Sequence, residues 1–301
     1  MPSQPMPEIS VIAGPASTDL AEKIAKRLDT QLVTVGLRVF LDGESKIKMG
    51  KATDNCVIVQ STYPPTDTHL MQALIMAGKC ADDGANDLLA VIPYLAYARQ
   101  DRAFLEGEAI SIALVARLFE AAGVKHIITV DIHSQLAMSH FSSIQNISSI
   151  SLLADYASKM NLQSPIVASP DAGGAERAKA LARLLKTDTI ALKKSRDRMT
   201  GEVRVDDKLD IEVSGRDILL VDDMISSGQS IIKAADLLRK KGASKVYAMC
   251  AHGLLIGDAA QKIKAAGVCD IIATNSVPGE YSKVDLSTAI AESIQTRYSS
   301  A

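Results

Sequence analysis

The sequence predicts an α/β protein of two similar domains, each a mainly parallel sheet flanked by helices. Three observations carry that expectation. Short apolar runs alternate with amphipathic helical patterns almost from end to end, as when crossover helices join parallel strands. The runs are apolar throughout rather than at every second residue, as strands covered on both faces must be. Finally, 301 residues suffice for two cores, and the chain weakly repeats itself.

Taken in order, residues 9–13, 56–60, 88–92, 127–130, 166–168, 218–221 and 246–250 read as buried strands. Helical spacing of apolar residues marks 21–28, 110–121, 175–185 and 231–240. The repeat pairs 123–133 with 242–252, each running from a glycine to a histidine (His133 and His252). It also pairs 24–30 with 181–187 and 87–91 with 217–221. Any two βα units share such features, which is the alternative reading. The expected boundary falls near residue 148, within the polar stretch 142–151, giving domains 1–148 and 149–285. A last helix over 286–298 is expected to cross back to the first domain, which would include 286–301.

Composition narrows the function classes. The chain is 47% hydrophobic and 23% charged, with a net charge of -2, which excludes nucleic acid as the main partner. A phosphate-bearing ligand must then be small and held by local features. Cys56, Cys80, Cys250 and Cys269 have no CxxC or framework spacing, so reduced thiols in a cytoplasmic protein are expected. Residues 1–7 lack the basic and apolar blocks of a leader, and the longest apolar run, 88–98, contains Pro93 and is too short for a bilayer. No membrane association is expected.

The strongest chemical signal is Asp222-Asp223-Met-Ile-Ser226-Ser227-Gly228-Gln229-Ser230, between an apolar strand pattern and a helical one. Ligands of open α/β sheets sit at the carboxyl ends of strands. Loop N–H groups, a helix N-terminus and serine hydroxyls suit a phosphate. Paired carboxylates would accept hydrogen bonds from vicinal sugar hydroxyls, which a phosphate-only loop does not need. Together they point to a sugar phosphate. The bland alternative is an N-capped helix after a strand, and no GxxxxGK[ST] loop is present.

This segment resembles the phosphoribosyl-pyrophosphate loop of type I phosphoribosyltransferases. Further segments narrow the resemblance to the ribose-phosphate pyrophosphokinase family, its archaeal members above all. They are Phe40-Leu-Asp42-Gly43-Glu44, Pro93-Tyr-Leu-Ala-Tyr-Ala-Arg99-Gln100-Asp101-Arg102, Asp131-Ile-His133-Ser-Gln135, Ser169-Pro-Asp171-Ala-Gly-Gly174 and Lys193-Lys194-Ser-Arg196. The resemblance implies attack of the 1-hydroxyl of ribose 5-phosphate on the β-phosphorus of ATP, with release of AMP. It assigns ATP to Arg99, Gln100 and Asp101, and to Phe40, Asp42, Gly43 and Glu44 reaching in from a neighbouring subunit. Ribose 5-phosphate would be held by Asp222, Asp223, Ser226, Ser227, Gly228, Gln229, Ser230 and Arg196.

It also implies Mg2+ at His133 and Asp171, and a cationic lid bearing Lys194 and Arg196. On their own residues these pieces keep blander readings. Asp42-Gly43-Glu44 is a turn, the run from Lys193 is a solvated charged hairpin, and a lone His133 is structural, as His252 is expected to be. Magnesium prefers oxygen, so a histidine ligand is unusual. Lys193, Ser226 and Gln229 depart from the common family pattern, and the Lys-x-Arg spacing favours Lys194 over Lys193. The implied assembly is a homo-oligomer built from dimers. Two other classes share parts of this pattern, a phosphoribosyltransferase acting on a base and a non-catalytic regulatory paralogue. The first has no need of the Arg99–Arg102 segment, and the second tends to lose His133, Asp171, Lys194 or Arg196.

Overall fold

The computed structural model describes residues 7–192, 194–196, 203–205 and 211–299. They form two compact units. One comprises residues up to Ser148 together with Ser276–Pro278 and the chain from Leu286 onward; the other comprises Ser149–Asn275 and Gly279–Asp285.

The first unit contains β1 (Ile9–Ala13), α1 (Thr18–Leu28), β2 (Gln31–Val39), β3 (Ser45–Met49), β4 (Asn55–Val59), α2 (Thr66–Asp82) and β5 (Asp87–Ile92). It continues with α3 (Ser111–Ala121), β6 (His126–Val130), α4 (Gln135–Met138) and β7 (Ile144–Ile147). The sheet order is β3-β2-β1-β4-β5-β6-β7, parallel throughout except for the β2–β3 pair. Ile58, Leu88, Ala90 and Ile92 pack on one face against Met76 and Ala77 of α2 and Ile112 and Phe119 of α3. The alternate residues Val57, Val59, Leu89 and Val91 are equally buried, so the central strands are apolar at every position.

The second unit runs α5 (Ile150–Ser158), β8 (Ile166–Ser169), α6 (Ala175–Leu185), β9 (Asp188–Ala191), β10 (Lys194–Arg196), β11 (Val203–Val205) and β12 (Ile218–Ile225). It ends with α7 (Gln229–Lys240), β13 (Val246–Gly253), α8 (Ala259–Ala265), β14 (Val268–Thr274) and β15 (Ser282–Val284). Its six-stranded sheet has the order β15-β14-β13-β12-β8-β9, all parallel. Leu153, Ala157 and Leu181 cover one face over Val167, Leu219 and Val221. Ile231, Leu238 and Ile263 cover the other over Ile218, Leu220 and Ala248. A separate two-stranded ladder pairs β10 antiparallel with β11.

The final helix, α9 (Ser287–Ser299), belongs to the first unit. It buries Ile290, Ala291 and Ile294. Arg27 of α1 donates from Nε to Ser287 Oγ at 2.8 Å, and Ser293 Oγ donates to Gln145 Oε1 at 2.8 Å. Arg297 Nη2 reaches Asp87 Oδ1 at 3.3 Å.

Three sequence expectations need correction. The hairpin β2–β3 and the helix α2 carry no marked pattern and were not expected; much of the hairpin is exposed. The strand expected over 218–221 continues to Ile225, because pairing with β13 persists through Asp222↔Cys250, Met224↔His252 and Ile225↔Gly253. The sequence repeat follows the fold in one pair, since 24–30 and 181–187 both close the helix after the first strand of their unit (α1 and α6), but is otherwise out of step. It pairs β5 with β12, yet β12 lies beside β8 as β4, not β5, lies beside β1. What the repeated segments share is a helix closed by a glycine with positive φ, Gly123 at 90° and Gly242 at 88°, followed by a buried strand.

Since α9 packs against α1 and its Ile294 is fully buried, Ile294→Ala should cost about 2–5 kcal/mol. Hydrogen exchange should then accelerate in α1 amides while those of β12 and β13 keep their protection.

Candidate functional site

In the second unit, β12 pairs with β8 only over Ile218–Leu220, so its last five residues lie alongside β13 alone. Asp222 and Asp223 occupy that overhang. Asp223 is buried and Asp222 half-buried. Each carboxylate turns onto the chain ahead of it: Asp223 N donates to Asp222 Oδ1 and Met224 N to Asp223 Oδ1, both at 2.9 Å. Burial, reinforced by the neighbouring Asp223 charge, pushes the Asp222 carboxyl up to about 7; Arg177 on α6 opposes the shift, its Nη1 lying 3.7 Å from Asp222 Oδ1.

After Ile225 the chain turns at once into α7. Leu255 N donates to the Ile225 carbonyl at 2.9 Å and Ile256 N to that of Ser226 at 3.1 Å, fixing the loop's base. Gly228 sits at φ 75°, where a Cβ would meet Ile263 Cδ1 at 2.7 Å. Only glycine fits both the left-handed backbone and the contact. The first turn of α7 holds no acidic side chain, leaving its positive dipole end uncancelled by any carboxylate there. Ser227 and Gln229 are exposed, and Ser226 and Ser230 half-buried.

At the end of β8, Asp171 caps a short 3-10 turn (Ala172–Gly174), its Oδ1 accepting from Gly173 N at 3.0 Å. A Cβ on Gly174 would meet Ser169 Oγ at 2.4 Å, so the turn needs glycine there. Asp171 and the acidic pair therefore stand at the carboxyl ends of neighbouring strands. Lys194 and Arg196 open and close β10, opposite Val205 and Val203. Lys193 and 197–202, the rest of the expected lid, lie outside the described residues.

In the first unit, the loops after β5 and β6 are tied together. The Ser134 hydroxyl donates to Asp101 Oδ2 and accepts from Ala137 N at 3.0 Å, capping α4. Arg102 Nε lies 3.2 Å from Asp101 Oδ1. These groups, Ser134 foremost, hold the Asp101 carboxyl below its ordinary range. Asp101 is buried, whereas Arg99 is exposed and Gln100 half-buried. Gln100 Nε2 donates to Glu108 Oε2 at 3.2 Å, and Glu108 also accepts from the Phe104 and Leu105 amides. His133 is exposed in the β6 loop, while its sequence counterpart His252 is buried within β13.

The Phe40–Glu44 segment closes the β2–β3 hairpin. Phe40 N donates to the Glu44 carbonyl at 2.9 Å, Gly43 N to that of Phe40 at 3.0 Å, and Glu44 N to Asp42 Oδ1 at 3.1 Å. Gly43 has φ 94°. Val39, Phe40 and Leu41 are all exposed apolar residues. Within the sheet β2 is three strands from β5, roughly 14 Å at the usual spacing.

Sequence reasoning missed Ser134, Glu108 and Arg177. Ser134 lies inside the Asp131–Gln135 segment and has the residue type of an N-cap. Glu108 lies within the 103–111 stretch whose form, after Arg99–Arg102, looks most like archaeal members of the family it resembles, whereas nothing in the sequence marks Arg177.

Two family models match the chain: the N-terminal domain of ribose phosphate pyrophosphokinase over residues 9–123, and the phosphoribosyl synthetase-associated domain over residues 204–300. A ribose-phosphate pyrophosphokinase of Sulfurisphaera tokodaii is 38% identical over 290 residues, covering 94% of this chain and 99% of that one. This chain belongs to the ribose-phosphate pyrophosphokinase family. A ribose-phosphate pyrophosphokinase of Methanopyrus kandleri is 36% identical, over 95% of this chain and 98% of that one. The solved phosphoribosylpyrophosphate synthetase of Mycobacterium smegmatis superposes with a TM-score of 0.87 at 28% identity, covering 98% of this chain and all of that one. The described residues contain no helix long and apolar enough to cross a membrane.

Because the folded-state pKa of Asp222 is raised, its protonated form favours the fold. That contribution is complete below the unfolded value of 3.8 and is lost as pH rises through about 7. Asp222→Asn should therefore stabilise the ligand-free protein at pH 8, by at most about 4 kcal/mol. Urea unfolding at a series of pH values should show that gain fading toward pH 4.

Proposed function

We propose that this member of the family transfers the diphosphate of ATP to the 1-hydroxyl of ribose 5-phosphate. The products are 5-phosphoribosyl 1-diphosphate and AMP. The observation that carries this reading is the overhang of β12. It joins two carboxylates, which accept hydrogen bonds from the vicinal ribose hydroxyls, to a glycine-opened helix start that takes the 5-phosphate. Ser226, Ser227, Gly228, Gln229 and Ser230 form that phosphate loop.

In the reaction the 1-hydroxyl oxygen bonds to the β-phosphorus, the bond from that phosphorus to the oxygen bridging it to the α-phosphorus breaks, and AMP departs with that oxygen. Positioning and neutralisation of charge dominate such a transfer. Arg99 meets the triphosphate with its fork of donors and Gln100 reads a polar edge of the nucleotide, while Asp101, fastened to Ser134, braces that loop from beneath. Lys194 and Arg196 neutralise charge building on the transferring phosphoryl oxygens, and Arg196 also contacts the sugar phosphate.

Among the described residues, no three or more His, Cys, Asp or Glu side chains cluster to hold a metal ion. Mg2+ keeps several waters and binds through one or two protein groups plus substrate phosphates. His133 and Asp171 would be those groups, and the ion would neutralise the triphosphate. The exposed Phe40–Glu44 hairpin, three strands from Arg99, serves the adenine pocket of a second copy, so the active form is a homo-oligomer built from dimers.

Incubation with ATP and ribose 5-phosphate, without any base, should release AMP. A phosphoribosyltransferase would release none. Lys194→Ala and Arg196→Ala should each lower kcat by several orders of magnitude, with ribose 5-phosphate affinity measured by calorimetry nearly unchanged, since transition-state contacts act on kcat. Asp42→Ala and Arg99→Ala proteins, each weak alone, should regain activity when mixed, because one pocket of the mixed dimer has both groups intact.

A further inference from the structure

The Arg177–Asp222 pair spans two elements that the proposed chemistry uses separately. Arg177 lies in the first turns of α6, the helix that follows the Asp171 turn. Asp222 lies on the overhang of β12, on the flank that β8 leaves open beyond Leu220. Their side chains are 21% and 20% exposed, so the pair is substantially screened from water. Among the described residues neither makes another ion pair within 4 Å. Asp222 has one like-charged neighbour, Asp223, buried beside it, and Cys250 opposite it on β13.

An arginine so placed has a definite consequence. Two adjacent carboxylates in a partly buried strand repel each other and lose hydration, so one of them gains from taking a proton. A protonated Asp222 could accept fewer hydrogen bonds from two ribose hydroxyls. A guanidinium at 3.7 Å from Oδ1 opposes that protonation and favours the ionised carboxylate, although burial and Asp223 still leave the group above its ordinary range. It also sets Asp222 within ion-pair distance of the helix that leaves the Asp171 turn.

We propose that Arg177 is a positioning residue of the ribose site: it orients the Asp222 carboxylate for the sugar hydroxyls and ties it to the Asp171 turn. It touches neither ATP nor the reacting phosphorus. The inference rests on the reading of Asp222 as a ribose contact.

The experiment measures ribose 5-phosphate binding by calorimetry and steady-state kinetics for the full-length protein and its variants. Arg177→Ala should raise the KM and Kd for ribose 5-phosphate at least tenfold, leave the KM for ATP within twofold, and lower kcat less than either. Arg177→Lys, which keeps the charge but not the fork, should recover part of the loss. In an Asp222→Asn background, Arg177→Ala should add less than twofold, because the group it orients is gone. Circular dichroism and melting of Arg177→Lys and Arg177→Met provide folded variants should the alanine protein be unstable.

An unchanged Kd in a folded Arg177 variant overturns the inference. So do equal losses of affinity for both substrates, and a full tenfold effect that persists in the Asp222→Asn background. Wild-type protein that binds ribose 5-phosphate but releases no AMP overturns the diphosphate-transfer reading and leaves the Arg177 result readable by calorimetry. Binding unaffected by Asp222→Asn removes both.

Discussion

Adjacent carboxylates on one buried strand repel, and the second unit is arranged around containing that repulsion. β12 outruns β8 after Leu220, so Asp222 and Asp223 meet a neighbouring strand on one flank only. The open flank admits Arg177. Each acid is further fastened by the amide of the following residue. The helix that begins immediately afterwards keeps acids out of its first turn, so negative charge at the strand and positive potential at the helix start lie a few residues apart. A sugar phosphate has the complementary distribution, neutral hydroxyls at one end and a dianion at the other. Storing an ionised carboxylate here costs ligand-free stability, as sites poised for ligands commonly do.

The first unit solves a different problem with a seven-stranded sheet. Its loops after β5 and β6 carry the groups suited to a nucleotide, and they are locked by side chains rather than by regular structure. Ser134 is the hinge of that arrangement, since one hydroxyl both caps α4 and donates to buried Asp101. Glu108 gathers two loop amides and Gln100. Arg99 is thereby left exposed on a constrained backbone, the state in which a guanidinium loses least entropy on meeting a phosphate. The β2–β3 hairpin stands at the sheet edge with its apolar tip uncovered within the chain.

Much of this was legible in the sequence for a physical reason. Central strands such as β5 and β12 are buried on both faces, so their apolar runs are continuous and easily read. The β2–β3 hairpin escaped because its residues are largely exposed and carry charges such as Arg38 and Lys46. Helix α2 escaped because Ala73, Ala77 and Cys80 bury a small-residue face that gives little amphipathic contrast. The repeat misled because a glycine closing a helix before a strand recurs in many βα units. At the site, the acidic pair, the glycine and the serines form one contiguous segment and could be found. Ser134 with Asp101, Glu108 with Gln100, and Arg177 with Asp222 are joined only by folding, so no local pattern announces them.

The overhang of β12 is the proposed sugar-phosphate site, and a crystal structure of the protein with ribose 5-phosphate tests that most directly. The 5-phosphate should lie against the backbone amides of residues 226–230, with the vicinal hydroxyls within hydrogen-bond distance of Asp222 and Asp223. A sugar phosphate bound elsewhere, with that loop empty and the Asp222–Arg177 pair untouched, would contradict it.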